Sequence, residues 1–478
     1  MRERGPGRAS DRGAGTLEYL GVLAVAAILV TGLVVGVRSF DLRAVVSGAL
    51  CDIGSAFTQA GDCGGADTPT YYDGAEDDGE GLTAGAPTGG AGSGGGAEQG
   101  DEEDAGAPEY ANASDDRGEV DRDRVAESLA DLRDALEGGF LGVRAGDLED
   151  ARDAAEGLNG PELDALIAAM DDEELEHWVG QMEDGWLLGG WSREERRELW
   201  ELLASRASKQ TLDRIAQFTD ELQPSFDGVG GDGARDDPAS PSNTAEYGEV
   251  AHELFIGSVG PEDASQGMIG DCWWIASMMA VAQADPQVIR DAITANPNGT
   301  YTVHLYRDGE RVAVTVTPEM VLMPDGRPAF VSNDGGGEPY ELWPMVLEKA
   351  LALEYGDYAE IEGGWPSVGM TALTGRESTS HGTEDLSIED LASTVDGGGA
   401  VGLASLTPDD ARKSAYYRQD AGADRLYANH AYYVQSVDVK AGTVTLVNPW
   451  GIAGYPPITM PYDDYQEQFR QVDVNEVS

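Results

Sequence analysis

The sequence contains few cysteines and few basic residues. Its 478 residues include three cysteines, Cys51, Cys63 and Cys272, and no CxxC pair, which argues against a cysteine-rich zinc site. Lysine and arginine number 31 against 88 aspartates and glutamates, a formal charge of −57. A chain with so little positive charge cannot neutralise phosphates, so we expect no nucleic-acid partner.

Charge is absent from a run near the N-terminus. From Tyr19 to Val37 the sequence reads YLGVLAVAAILVTGLVVGV, which as a helix would be about 28 Å long, enough to cross a bilayer core. Four arginines precede it: Arg2, Arg4, Arg8 and Arg12. They predict an N-terminus that stays inside and a bulk that is exported. A cleaved secretory signal is the alternative, although the run lacks a clear small-x-small site at its end.

The segment RGAGTLEYLGVLAVAA resembles the N-terminus of Flp-type and other type IV pilin-like precursors. Such precursors are cut after a glycine, ahead of an apolar helix that begins with a glutamate and, in Flp pilins, a tyrosine. A cut after Gly13 would place Glu18 fifth and Tyr19 sixth. A plain signal anchor and a pilin-like leader both leave the bulk outside the cytoplasm. There, Cys51 and Cys63 could form a disulfide. Two free thiols are the equally weighted alternative.

The length suggests several units. An acidic Gly/Ala-rich stretch cannot bury enough apolar surface to fold and predicts a disordered stalk. Leucines such as Leu163 and Leu166 at helical spacing then predict an all-α domain. The last unit mixes helices with hairpins, one of them with a predicted Asp308-Gly309 turn, which is an α+β pattern. The predicted segments are a basic leader (1–13), a transmembrane or signal-anchor helix (14–38), the stalk (39–118), the helical domain (119–223), a linker (224–246) and the α+β unit (247–478).

The stretch SQGMIGDCWW, residues 265–274, carries the sharpest chemical signal. Asp271 is a predicted N-cap, so Cys272 would occupy the first turn of an apolar helix, where the helix dipole favours a thiolate. Gln266 lies on a glycine-containing loop before that helix. Its side-chain amide and the backbone N–H of Cys272 could together stabilise an oxyanion.

A base for this cysteine is predicted from the hairpin AYYVQSVDVKAGTVTLVNPWG. His430 precedes its first strand and Asn448 ends its second, and their midpoint, residue 439, lies next to the turn expected at residues 440–442. The two side chains should therefore face each other, with the Asn448 amide oxygen holding the imidazole tautomer. Trp450 could shield that bond from water.

Three motifs in order, QGMIGDCWW, NHAYYV and LVNPWG, resemble the cysteine, histidine and asparagine motifs of calpains, a papain-like cysteine peptidase family. LWPMVLEKALALEYGDYAEIEGG followed by ALTG resembles the calpain segment between them. The resemblance implies a two-lobed papain-like core, with a cysteine lobe (247–375) and a histidine/asparagine lobe (376–478). It also implies that Cys272 is the nucleophile, His430 the general base and acid, Asn448 the orienting residue and Gln266 the oxyanion donor.

Calpain cores also bind calcium, which brings the two lobes into register. Asp263 matches one calcium-ligand position, and Glu348 in LEKA is the second candidate. Two carboxylates do not make a site for an ion that takes six to eight oxygens. The chemistry itself requires no cofactor, and solvated acids are the alternative reading of both residues.

The sequence thus predicts a membrane-anchored, extracytoplasmic cysteine endopeptidase that acts on protein substrates. Two other functions remain open: a non-catalytic surface or pilin-associated binding protein on a peptidase fold, and a Cys-His-Asn acyltransferase on the same scaffold. Labelling of Cys272 by a thiol-directed peptidyl epoxide separates the first alternative from an enzyme. An amine-transfer product separates the second from a hydrolase.

Overall fold

A computed structural model gives the fold of the chain from the helical domain onward. It describes residues 118–136, 145–183, 193–219, 222–230, 240–333, 340–418 and 425–477. The predicted leader, membrane helix and stalk, together with Cys51 and Cys63, lie outside these ranges. Within them, none of the helices combines the length and the apolar character needed to cross a membrane.

The helical domain forms because apolar residues recur on one face of successive helices. These are α1 (Arg122–Leu136), α2 (Ala145–Glu156), α3 (Gly160–Ala168), α4 (Asp172–Glu183), α5 (Arg193–Arg206) and α6 (Lys209–Ile215). Leu132, Leu166 and Trp178 belong to one buried core, as their spacing predicts. A capping box starts α3, in which the Asn159 side chain accepts the N–H of Glu162 and the Glu162 carboxylate accepts the N–H of Asn159.

The cysteine lobe is built around one helix that is buried on every side. Residues 272–282 of this helix are all buried, which explains why its sequence is apolar without a polar face. The helices of the lobe are α7 (Pro241–Thr244), α8 (Cys272–Ala284), α9 (Pro286–Ala292), α10 (Trp343–Tyr355) and α11 (Pro366–Thr374). Trp273 and Trp274 of α8 are buried in the core of the lobe.

Short strands cover this helical core. They are β1 (Glu246–Gly248), β2 (His252–Glu253), β3 (Ile293–Ala295), β4 (Tyr301–Arg307), β5 (Glu310–Val316), β6 (Met320–Leu322) and β7 (Tyr340–Glu341). Strands β3, β4 and β5 form an antiparallel sheet, β1 pairs with β6, and β2 runs parallel to β7. The predicted turn of the β4–β5 hairpin is confirmed: Asp308 and Gly309 both have positive φ, 53° and 83°.

The histidine lobe is an antiparallel sheet with helices packed against it. Its strands are β8 (Thr379–His381), β9 (Ala400–Ser405), β10 (Ala431–Asp438), β11 (Thr443–Val447), β12 (Ile458–Pro461) and β13 (Phe469–Asn475), in the spatial order β12-β11-β10-β9-β13-β8. Its helices are α12 (Ile388–Asp396), α13 (Pro408–Ala411) and α14 (Tyr462–Gln468). The predicted hairpin is β10–β11, in which Asp438 pairs with Thr443 across the turn.

The helical domain packs on the cysteine lobe through polar contacts. Asn298, which is fully buried before β4, donates from Nδ2 to the carbonyls of Ala204 and Ala207, both at 2.8 Å. These two carbonyls lie at the C-terminal end of α5 and just beyond it, where a helix leaves acceptors without partners. Nearby, Arg197 of α5 pairs with the buried carboxylate of Glu354 at 2.8 Å. The contact is thus made to the β4–β5 hairpin and to α10.

Candidate active site

Cys272 is the first residue of α8, as its sequence context predicts. Its side chain is 3% exposed, and its sulfur interacts with the backbone of Ala431, the residue after His430. The helix start is held in place partly by Trp273, whose indole N–H donates to the carbonyl of Ile361 at 2.9 Å. The fold therefore brings the cysteine to the first strand of the predicted histidine hairpin.

Burial dominates the acidity of this thiol. Burial, together with the neighbouring Asp271 carboxylate, raises the pKa of Cys272 to about 12, although backbone hydrogen bonds oppose this shift. The expectation that the helix terminus favours a thiolate is therefore wrong for this structure, since loss of solvent outweighs the dipole. The thiol is protonated at neutral pH.

His430 lies immediately before β10 and is fixed from three sides. Its Nε2 lies 2.9 Å from Oδ1 of Asn448, the predicted contact, although the strand register, which pairs Tyr433 with Val447, places His430 two residues before the position opposite Asn448. Its backbone N–H donates to Oγ of Ser405, and its carbonyl accepts from the N–H of Ser405, both at 3.0 Å. Because an amide oxygen can only accept, Nε2 carries the ring proton and Nδ1 has a free lone pair. Burial lowers the pKa of His430 to about 4, so the imidazole is neutral.

Trp450 covers this pair. Its ring centroid lies 4.7 Å from that of His430, and its backbone N–H donates to Oδ1 of Asn448 at 3.0 Å. The same amide oxygen thus accepts from the imidazole and from the chain that carries the tryptophan. His430 and Asn448 are 5% and 4% exposed, which strengthens the bond by removing competing water.

Gln266 lies on a loop of the cysteine lobe that forms hydrogen bonds with the histidine lobe. Its backbone N–H donates to the carbonyl of Pro449 at 2.8 Å, and Oγ of Ser265 donates to the carbonyl of Trp450 at 3.0 Å. The next residue must be glycine, since a Cβ on Gly267 would lie 2.2 Å from the carbonyl oxygen of Phe330. The Gln266 side-chain amide donates from Nε2 to the carbonyl of Ile269 at 2.6 Å, and its Oε1 is buried without a hydrogen-bond partner.

Asp271 occupies the N-cap position of α8 but does not cap it. Its side chain makes no capping hydrogen bond. It is fully buried, and its carboxyl meets the carboxyl of Glu348 instead of an N–H or hydroxyl donor. It faces Glu348 of α10, whose carboxylate accepts the N–H of Val331 at 3.0 Å. Burial raises the pKa of Asp271 to about 7, and burial together with Asp271 raises the pKa of Glu348. The pair is stable only with a proton between the two carboxyls.

Asp263 and Glu348, the two residues predicted for calcium, lie in different carboxylate pairs. Asp263 accepts the N–H of Gly260 at 2.7 Å and neighbours Glu341 of β7. Burial raises the pKa of Asp263, while burial and the adjacent Asp263 raise the pKa of Glu341 to about 7. Over the described ranges no three acidic, histidine or cysteine side chains gather into a metal-binding group. Sequence reasoning missed Glu341, although it lies two residues before the helix that carries Glu348.

Comparison with known proteins matches residues 241–476 to the calpain family of cysteine proteases. A calpain-type cysteine protease of Oryza sativa subsp. japonica is 37% identical over 139 residues, 28% of this chain and 6% of the relative. Calpain-5 of Caenorhabditis elegans is 27% identical over 240 residues, 41% of this chain and 35% of the relative. The calpain-1 catalytic subunit of Homo sapiens is 26% identical over 226 residues, 44% of this chain and 30% of the relative.

The chain thus spans about a third or less of these relatives, and the match lies on the two lobes. The mixed α/β architecture of the lobes fits a calpain core, and the comparisons give no support to the pilin-like leader. By this match, residues 241–476 are a calpain-family cysteine protease domain.

Proposed function

We propose that this chain hydrolyses peptide bonds of protein substrates with Cys272 as nucleophile, His430 as base and acid, and Asn448 as the residue that orients the imidazole. The 2.9 Å contact between Nε2 of His430 and Oδ1 of Asn448 carries the proposal. It commits the ring proton to Nε2 and leaves Nδ1 as the only ring acceptor. The sulfur of Cys272 lies against the residue that follows this histidine.

Both reactive groups are neutral before the reaction. The thiol has a pKa of about 12 and the imidazole a pKa of about 4, so a standing thiolate–imidazolium pair is unfavourable. Transfer of the proton from sulfur to Nδ1 therefore accompanies attack on the substrate carbonyl carbon. The carbonyl oxygen gains the negative charge, and the new bond is a carbon–sulfur bond.

The remaining steps use the imidazole and the two proposed oxyanion donors. The backbone N–H of Cys272 and the second N–H of the Gln266 amide are the donors proposed for the oxyanion. The imidazolium returns its proton to the amine nitrogen as the carbon–nitrogen bond breaks, which leaves a thioester. Water then attacks the thioester, His430 takes one of its protons, and the sulfur leaves with that proton to regenerate the thiol.

Replacement of the nucleophile tests the proposal. We expect Cys272→Ala to abolish hydrolysis of a casein-type substrate and to preserve the circular dichroism spectrum and unfolding midpoint of the full chain. Cys51→Ala is the matched control and should retain full activity. Hydrolysis by Cys272→Ala at the wild-type rate would refute the mechanism, and an amine-transfer product in place of hydrolysis would favour an acyltransferase.

We further propose that calcium binds between Asp263 and Glu341. Two adjacent, buried carboxylates with raised pKa values repel each other when ionised, and a hard divalent cation removes that repulsion. The ion would act on structure, by holding the N-terminal loop of the cysteine lobe against β7. Calcium should raise the thermal unfolding midpoint of the wild type and of Glu348→Gln, but not that of Glu341→Gln. An equal response from Glu341→Gln would contradict this site.

We also propose that residues 14–38 anchor the chain in a membrane with its bulk outside the cytoplasm. The support is the uncharged run from Tyr19 to Val37 behind the N-terminal arginines. Protease added to intact cells should degrade the protease domain, and recovery of the chain in the soluble cytoplasmic fraction would contradict the anchor. N-terminal sequencing distinguishes a cut after Gly13 from an uncut anchor.

A further inference from the structure

A group of aromatic rings extends from His430 along one side of the site. The Trp450 ring lies 4.3 Å from Tyr427 and 5.0 Å from Tyr455, centroid to centroid, and Tyr427 lies 6.1 Å from Tyr455. These three rings are half-buried, so each keeps part of its surface open to solvent. Packed against the base of the site, they form a surface that a substrate can contact.

Arg425 extends this surface with a positive charge. Its guanidinium carbon lies 4.6 Å from the centroid of the Tyr427 ring. Its charge also acts on the hydroxyl of Tyr455, whose pKa is raised by burial and lowered by Arg425. The arginine is thus placed beside both tyrosines, in an arrangement typical of a cation held on an aromatic face.

This arginine has no acidic partner of its own. Its Nε is buried without a hydrogen-bond partner, and none of the carboxylates in the described part of the chain forms an ion pair with it. In a protein with 88 acidic and 31 basic side chains, an unpaired arginine is unexpected. A guanidinium presents a planar fork that matches a carboxylate, so a carboxylate from another molecule would complete the arrangement.

The segment that carries these residues is firmly held. Leu426 is fully buried, and its N–H donates to the carbonyl of Tyr416 at 2.8 Å. The backbone N–H of Tyr427 also donates to the hydroxyl oxygen of Tyr432 at 2.9 Å. A recognition site needs such support because ordering a mobile loop on binding would offset the affinity gained.

The position of the surface relative to His430 indicates which half of the substrate it contacts. The imidazole gives its proton to the amine that leaves, so the part of the substrate after the scissile bond must lie on the side of His430. Trp450 lies against this histidine, and Tyr427 and Tyr455 lie against Trp450. The segment that leaves as an amine therefore passes over the three rings.

We propose that Arg425, Tyr427 and Tyr455 form a recognition site for a carboxylate that the substrate carries on the leaving-group side of the scissile bond. The inference rests on the proposed peptidase function and deepens it. The rings hold the leaving segment, and the guanidinium selects an acidic group within it. That group is a glutamate or aspartate side chain or the terminal carboxylate of a short substrate.

The test compares matched peptides with the full chain. One set carries glutamate or glutamine at the first or second position after the scissile bond and ends in an amide. A second set has glutamine there and ends in a free carboxylate. A peptidyl-aminomethylcoumarin, which has no residue after the scissile bond, reports the chemistry alone.

We expect wild-type kcat/KM to be about fivefold to tenfold higher with a carboxylate than with its neutral match. Arg425→Gln should remove that preference and leave coumarin hydrolysis unchanged. Arg425→Lys, which keeps the charge but not the fork, should keep part of the preference and serves if Arg425→Gln fails to fold. Arg412→Gln, at an exposed arginine paired with Asp409 in the same lobe, should keep all of it.

The peptide sets and the variants distinguish the possible outcomes. A preference for glutamate peptides assigns the site to acidic side chains, and a preference confined to free termini assigns it to the chain end. Equal rates for charged and neutral peptides, or a preference that persists in Arg425→Gln, overturn this inference alone. Absence of coumarin hydrolysis by the wild type overturns the peptidase function and this inference together.

Discussion

The active-site residues of the two lobes differ in how many of their buried polar groups have hydrogen-bond partners. In the histidine lobe, His430 is bonded through its ring to Asn448 and through its backbone to Ser405 in both directions. In the cysteine lobe, the carboxyl of Asp271 meets the carboxyl of Glu348 instead of an N–H or hydroxyl donor, and Oε1 of Gln266 has no partner.

The difference indicates how the work of the site is divided. The base is oriented before substrate arrives, which lowers the entropic cost of reaction. The nucleophile is a neutral, buried thiol beside a carboxyl pair that must keep a proton. Unsatisfied buried groups cost free energy, so we infer that substrate completes the cysteine side of the site.

Removal of the base should have the largest effect. His430→Ala deletes the base proposed to accept the thiol proton, and we expect kcat/KM to fall about a thousandfold. Peptidyl-coumarin hydrolysis measures the loss. His177→Ala, at an exposed position of α4, should keep wild-type activity. A loss below about tenfold for His430→Ala would show that another group acts as base.

Removal of the orienting residue should have a smaller effect. Asn448→Ala keeps the imidazole but frees its Nε2 proton and loosens Trp450, since both bond to the same amide oxygen. We expect kcat to fall about tenfold to a hundredfold with little change in KM. An unchanged kcat would mean that the histidine lobe is not preorganised by this bond.

The support that the helical domain gives to the cysteine lobe can be broken at Asn298. Asn298→Ala leaves the Ala207 carbonyl without its donor and the Ala204 carbonyl with Oγ1 of Thr300 alone, and we expect a loss of about 2 kcal/mol in unfolding free energy. Urea titration measures it. Asn296→Ala removes hydrogen bonds only to Thr300 and Thr302 and should cost less. Equal losses would mean that the interface does not stabilise the lobe.

The proton shared by Asp271 and Glu348 gives the cysteine lobe a pH dependence. Burial raises the pKa of Asp271 from 3.8 to about 7 in the folded chain, so the folded state binds a proton that the unfolded state releases. The contribution of this pair to the free energy of unfolding is full below about pH 4. It falls by about 1.4 kcal/mol per pH unit, for one proton, as the pH rises from about 4 to about 7.

Asp271→Asn should remove this slope while preserving the shape of the side chain. Thermal or urea unfolding across pH 4.5–7.5 should therefore show the variant gaining stability relative to the wild type as pH rises. Asp285→Asn, at the half-buried N-cap of α9, should follow the wild-type curve. Parallel curves for Asp271→Asn and the wild type would show that the pair carries no shared proton.

Local pattern predicted much of this structure. Helical spacing located the core of the helical domain, and the Asp308-Gly309 turn was predicted correctly because its chemistry is local. The meeting of His430 and Asn448 followed from counting residues to the hairpin turn. Each of these features depends on neighbours within about twenty residues of each other.

Features that depend on distant partners could not be predicted this way. Asp271 has the sequence position of an N-cap. Its side chain pairs instead with the buried carboxyl of Glu348, which lies far along the chain. Asp263 lies beside Glu341 of β7, which is also far along the chain. Nothing in the sequence around Asn298 indicates that its amide caps a helix of another domain. Whether the cysteine is acidic likewise depends on burial, which a motif does not report.

The central claim is that Cys272 is a nucleophile activated by His430. Its most direct test is labelling of the full chain by a thiol-directed peptidyl epoxide, followed by mass spectrometry of the three cysteine-containing peptides. We predict stoichiometric labelling of Cys272 alone and loss of that labelling in His430→Ala, with the fold preserved by circular dichroism. Unlabelled Cys272, or equal labelling in His430→Ala, would contradict the account.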